Sequence, residues 1–159
     1  MLKILAPVAL SALLVVTPST ASQGLLHIDS AYDVGETAQR LETLLREKGM
    51  TVFNRINHAQ GAKTAGIAMN DTELLIFGNP KVGSQLMLCQ PMVAIDLPQK
   101  ALIWEDDAGA VRISYNDPGY LKQRHSISGC DEWLAKISDT LAKLLRTAAG
   151  SDSRSAADQ

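Results

Sequence analysis

Apolar positions recur along this chain with two periods, and the alternation between them predicts the fold. Residues 24–28 (GLLHI) form a short apolar strand. Val34, Ala38, Leu41, Leu44 and Leu45 then repeat at spacings of three and four, opposed by Gln39, Arg40, Glu42, Arg46, Glu47 and Lys48. That is one apolar stripe on a helix. Asp33 and Glu36 have the spacing of a capping box at its start, and Gly49 supplies its stop. Residues 51–56 (TVFNRI) are β-branched and aromatic, as strands prefer, and Asn57 caps a short helix over 58–65 that ends at Gly66.

The run LLIFGNPKVGSQLM (74–87) reads as a strand, a glycine corner and a helix entry, and Pro91 and Pro98 bracket the connector that follows. Residues 101–106 and 111–115 flank a Gly-containing turn and predict a hairpin. Asn116-Asp117-Pro118 starts a short helix through His125. A last helix carries Trp133, Ile137, Leu141, Leu144, Leu145 and Ala148 on its inner face, with Lys136, Asp139, Lys143 and Arg146 outside. Each long helix has only one apolar side, so the expected fold is an α/β two-layer sandwich: a single mixed or mainly antiparallel sheet of about five strands, with helices mainly on one face.

The amino terminus changes the picture. Lys3 precedes an apolar stretch over 4–16, and Ser19-Thr20-Ala21 ends in small residues, the pattern of a signal peptide cleaved after Ala21. The stretch falls short of the roughly 20 residues that cross a bilayer. The expectation is therefore a periplasmic or secreted protein with no membrane anchor after cleavage: residues 1–21 as leader, 24–149 as one domain, and 150–159 (GSDSRSAADQ) as a disordered tail. The formal charge is −2 and the charges are interspersed, which excludes the concentrated basic face that nucleic acid requires. In an oxidising compartment Cys89 and Cys130 are free to form a disulfide or to remain separate thiols, and their separation fits no CxxC chemistry.

The corner GNPKVGS (78–84) places two glycines at the spacing of a phosphate-binding loop, but Ser84 stands where a lysine must reach the outer phosphates. Nucleotide hydrolysis is excluded on that ground. What remains is a helix start whose amides near Val82 to Gln85 can hold a carboxylate or phosphate, or else a tight corner that delivers Val82, Leu86 and Met87 to the core.

Five segments, RINHAQGAKTAG (55–66), IFGNPKVGSQLM (76–87), IDLP (95–98), LIWED (102–106) and SYNDPGYLKQRHSI (114–127), occur in this order. Together they resemble the domain-of-unknown-function family 302 over residues 26–148. The resemblance implies a compact α/β domain, often exported in bacteria and seen as a homodimer, with no established biochemical role. Asn57 departs from it, since the family pattern has an Asp there, and the two cysteines are not family features.

The candidate chemistry is sparse. His58 and His125 form a functional pair only if the fold brings them together, and otherwise each serves its own helix end; His27 ranks below both. A metal site would enlist Met87, Met92, Cys89 and Cys130, yet no ligand spacing supports one, so neither metal nor cofactor is expected. Ser84 lies outside a nucleophile elbow. Glu105, Asp106 and Asp107 read as a solvated turn. The preferred ligand site joins Asn79, Pro80, Gly83 and Ser84 to Tyr115, Asn116, Tyr120, His125 and His58 at the ends of the strands. The expected function is binding of a small ligand or a partner protein without catalysis; the alternative is a His58- and His125-dependent enzyme or metal/redox accessory. An apolar patch on the hairpin or near Met92 and Val93 would give a dimer physical support.

Overall fold

A computed structural model describes residues 24–151, so the expected leader (1–21) lies outside the described residues, as does the expected tail beyond Ser151. Strand β1 (Leu25–Asp29) leads to helix α1 (Val34–Glu47), β2 (Thr51–Asn57), α2 (His58–Thr64), β3 (Thr72–Gly78) and α3 (Pro80–Cys89). A 3-10 helix (Pro91–Ile95), the hairpin β4 (Gln99–Glu105) and β5 (Val111–Asn116), α4 (Pro118–Arg124) and α5 (Asp131–Ala149) complete the order. The five strands form one sheet in the order β1-β5-β4-β3-β2, and every neighbouring pair is antiparallel. The fold is the expected two-layer α/β arrangement.

The helix starts are built as the side chains dictate. Asp33 accepts from the Glu36 amide at 2.7 Å, Asn57 from that of Gln60 at 2.7 Å and Asn79 from that of Lys81 at 3.0 Å. Each satisfies an amide that a helix's first turn leaves without an internal partner. Glu36 turns towards Arg40, 4.0 Å away.

The apolar stripe of α1 (Val34, Ala38, Leu41, Leu45) and that of α5 (Leu141, Leu144, Leu145, Ala148, Ala149) close over Leu75, Phe77, Ala101, Ile103, Ile113 and Tyr115 of the sheet. The α5 C-terminus is pinned to the β1–α1 connection. Ala31 N–H donates to the Ala149 carbonyl at 2.9 Å, Arg40 Nε donates to that of Ala148 at 3.0 Å, and the Arg40 guanidinium lies 4.1 Å from the Tyr32 ring. Gly150 ends the helix at φ +69°, where a Cβ would stand 2.7 Å from that ring; glycine alone fits both demands.

A second, smaller core (Leu86, Val93, Ile127, Cys130, Leu134) lies where α3 and the 3-10 helix meet the start of α5. A Cys89–Cys130 disulfide closes it, with a Cα–Cα distance of 6.4 Å. Asn57, the departure noted in the sequence, donates from Nδ2 to Glu73 Oε1 at 3.2 Å. Arg55 Nε donates to the other oxygen of that carboxylate at 2.5 Å. An Asp at position 57 would set a second carboxylate against Glu73 instead. Arg55 also reaches the Gln39 side chain and the Gly35 carbonyl, tying β2 to α1, and its bond to the Glu73 carboxylate holds the guanidinium above its ordinary pKa.

Candidate functional site

Antiparallel register assigns each expected site residue to an end of the sheet. One end carries Gly78, Gln99 and Asn116; the other carries Asn57, Thr72, Glu105 and Asp29. His58 follows Asn57 at the second end, and His125 is held at the first. A seven-residue strand spans roughly 20 Å. One substrate or one metal therefore cannot touch both imidazoles, which corrects the paired-histidine alternative.

The glycine corner satisfies itself. Asn79 takes the Lys81 amide through its side chain and the Val82 and Gly83 amides through its carbonyl at 3.0 and 2.9 Å, and Pro80 has no amide to give. These donors are already used by the chain, so the corner works mainly as a turn. It delivers Leu86 to the smaller core, with Val82 and Met87 half-buried beside it.

The corner meets His125 through the connector after the 3-10 helix. A Cβ on Gly83 would stand 3.8 Å from Leu97 Cδ1. The neighbouring Asp96 accepts from His125 Nε2 at 2.5 Å, and Arg124 Nη1 lies 3.5 Å from its other oxygen. A carboxylate only accepts, so Nε2 carries the proton. Gln99, three residues on, is 7% exposed, and its amide has no protein partner among the described residues, leaving unused hydrogen-bonding capacity in this corner. Sequence reading missed Asp96 and Gln99 because their roles depend on how the connector folds back.

The remaining expected residues part from this group. Tyr120 packs its ring over Gly24, where a Cβ would stand 2.4 Å away, and Asn116 pairs with Leu25 on the edge strand. Tyr115 lies in the main core at 5% exposure. Burial raises its phenol above the ordinary 10.0. The folded chain thus keeps a proton that the unfolded chain loses near pH 10, and stability, constant below that pH on this account, falls as pH rises beyond it. Tyr115→Phe is expected to match the wild type in denaturant melts at pH 7 and to outlast it above pH 10.

A hollow of about 510 Å³ opens at the opposite end of the sheet, between the β1–α1 connection and the hairpin turn. None of the expected site residues lines it. Asp29 at its edge is engaged by Arg112 Nε at 3.1 Å. Among the described residues no three His, Cys, Asp or Glu side chains gather as a metal would need, and both cysteines are consumed in the disulfide.

The sheet face turned away from α1 and α5 offers more than the strand ends do. Ile56, Leu74, Leu102, Ser114 and His27 form one row across all five strands. Thr72, Trp104, Arg112 and Asp29 form the next, and Asn54, Ile76 and Lys100 a third. The β2–β3–β4 side is chiefly apolar and the β5–β1 side polar. There Trp104 Nε1 donates to Ser114 Oγ at 2.8 Å, and the same oxygen stands 2.8 Å from His27 Nδ1. Serine beside histidine suggests a nucleophile and base. Ser114, however, is only 6% exposed beneath its partners, so an electrophile has no approach and the trio serves to order the face.

Residues 26–144 match the family model described as Domain of unknown function DUF302. The Fluoride-specific ion channel FluC 1 of Brucella suis biovar 1 (strain 1330) and that of Brucella abortus biovar 1 (strain 9-941) are each 40% identical to this chain over 139 residues. Those residues are 87% of this chain but 52% and 49% of the two relatives, so the chain spans about half the length of the curated relatives it matches. The crystal structure of an uncharacterized conserved protein DUF302 from Bacillus stearothermophilus superposes with a TM-score of 0.71 at 21% identity, over 80% of this chain and 99% of that one. That likeness establishes the fold.

Proposed function

We propose that this chain, which belongs to the family described as Domain of unknown function DUF302, is an exported, non-catalytic binding domain whose open sheet face pairs with a second copy of itself. One observation carries this reading. The outward positions of β3 and β4 (Leu74, Ile76, Leu102, Trp104) are apolar, whereas an antiparallel sheet with one solvated face alternates apolar with polar. Neither apolar core includes any of them.

A self-pairing fits the layout of the face. A two-fold axis through its apolar side sets Leu74 and Leu102 of one copy against the same residues of the other and leaves His27, Arg112 and Asp29 at a polar rim. The face measures about 24 by 20 Å, or nearly 500 Å² in projection, and side-chain relief brings it towards the roughly 800 Å² per partner of a standard interface.

Export rests on the leader-like residues 1–21, and the Cys89–Cys130 bridge accords with an oxidising compartment. No helix among the described residues is long and apolar enough to cross a membrane.

The test is sedimentation of the mature chain at micromolar concentration. The wild type is expected to run as a dimer, and Leu102→Asp, at the centre of the face, to weaken association at least a hundredfold while keeping the far-UV spectrum of a folded domain. A monomeric wild type, or a dimer indifferent to that charge, would sink the proposal.

A further inference from the structure

We propose that the Cys89–Cys130 bridge is a reactive disulfide, offered by an apolar patch to a dithiol protein that attacks it at Cys89. The inference goes beyond the sheet-face pairing and shares no residue with it.

The two half-cystines differ in access. Cys89 ends α3 and is exposed, while Cys130 is only 4% exposed within the smaller core. Exchange proceeds by attack of a thiolate on one sulfur with expulsion of the other. Cys89 is the exposed half-cystine and Cys130 the buried one, so the fold favours attack at Cys89 with Cys130 as the leaving group. That residue is the N-cap of the 19-residue α5 and has no side-chain bond to the helix. Sulfur released there sits at the positive end of α5, which favours the departing anion, and the Gln85 carbonyl, 3.6 Å from Cys130 Sγ, can accept from the thiol once it is protonated. Asp131, the first carboxylate beyond it, is paired with Lys122.

The surroundings of Cys89 point to a protein reductant. Leu88, Met92 and Ile95 are 79%, 69% and 71% exposed, more than the other exposed large hydrophobic side chains of the described residues. Met92 and Ile95 lie one turn apart on the 3-10 helix, where residues three apart eclipse. This is the patch near Met92 that the sequence allowed for, although Val93 points inward. Three bare apolar side chains within six residues of the exposed half-cystine fit a partner whose reactive thiol is itself rimmed by apolar surface.

The exchange balances. The partner's thiolate bonds to Cys89 Sγ as the Cys89–Cys130 bond breaks, and the electron pair leaves on Cys130 Sγ, which takes up a proton. The partner's second thiol then displaces Cys89, releasing it as a thiol and closing the partner's own disulfide. Two electrons and two protons pass to this chain, and α3 with the 3-10 helix loses its covalent tie to α5.

A thioredoxin without its resolving cysteine is the probe. Incubated with the full chain, it is expected to be trapped as a mixed disulfide that peptide mass spectrometry assigns to Cys89. Intact reduced thioredoxin is expected to open the bridge, and the triple variant Leu88→Ser, Met92→Ser, Ile95→Ser to slow that reaction at least tenfold while dithiothreitol opens both proteins at one rate. That last rate also reports that the variant's bridge is correctly folded. Trapping at Cys130, a bridge that resists thioredoxin, or a triple variant reduced as fast as the wild type would each overturn the proposal.

Discussion

Replacing Cys89 and Cys130 together by serine is expected to lower the unfolding free energy by about 4 kcal/mol, with Tm falling by about 10 to 15 °C. The bridge joins residues 41 apart in sequence, and closing a loop of that size in the unfolded chain removes most of that amount as entropy. The loss should be uneven across the molecule. The bridge ties α3 and the 3-10 helix to the start of α5 over a core of only five buried residues, whereas α1, the rest of α5 and the sheet share fifteen. Amides of α3 and the 3-10 helix should therefore exchange with solvent sooner in the double variant, while those of β3, β4 and α1 keep their protection until global unfolding. Thermal melts with hydrogen exchange read both effects. An unchanged Tm, or titratable thiols in the native chain, would show that the bridge does not form in solution.

The order of elements was legible because each leaves a local mark. The α1 stripe from Val34 to Leu45, the caps Asp33 and Asn57, and the proline entry of α4 are written within a turn or two of the residues they govern. Relations across the fold left no such mark. His27 meets Ser114 across 87 residues, and His125 meets Asp96 across 29, only because the sheet closes in the order it does. Cys89 and Cys130 had an open pairing for the same reason: bonding needs their Cα atoms within about 7 Å, a condition set by the angle between α3 and α5 and by nothing near either residue.

The preferred site at the strand ends failed to gather for a different reason. Tyr115 has the alternation of a core position, and Asn79 answers the amides that an incoming anion would need. Position at a strand end is thus not enough; the groups there must be left unsatisfied, and in this chain the turn chemistry satisfies them first. One signal of the sheet face was present in the sequence. Leu74-Leu75-Ile76-Phe77 and Ala101-Leu102-Ile103-Trp104 are continuous apolar runs, the mark of strands covered on both sides, while the helices supply only enough apolar surface for one.

The two phenylalanines separate these sides. Phe77, on β3, is 1% exposed among the residues beneath α1 and α5, so Phe77→Ala is expected to cost about 3 to 5 kcal/mol through lost burial and an unfilled cavity. Phe53 lies at the β2 bulge between Val52 and Asn54, 52% exposed, its ring lying against Gly78. Phe53→Ala should cost less than about 1 kcal/mol in dilute protein, where each copy stands alone. In sedimentation at higher concentration the order should reverse: a Phe77→Ala chain that remains folded keeps its open face and associates like the wild type, while Phe53→Ala strips apolar surface from the rim of that face and weakens pairing. Urea titrations at two protein concentrations distinguish the cases, because only a residue at an interface has an effect that grows with concentration. Equal costs for the two substitutions in dilute protein would mean that the assignment of core and open faces to β2 and β3 is wrong.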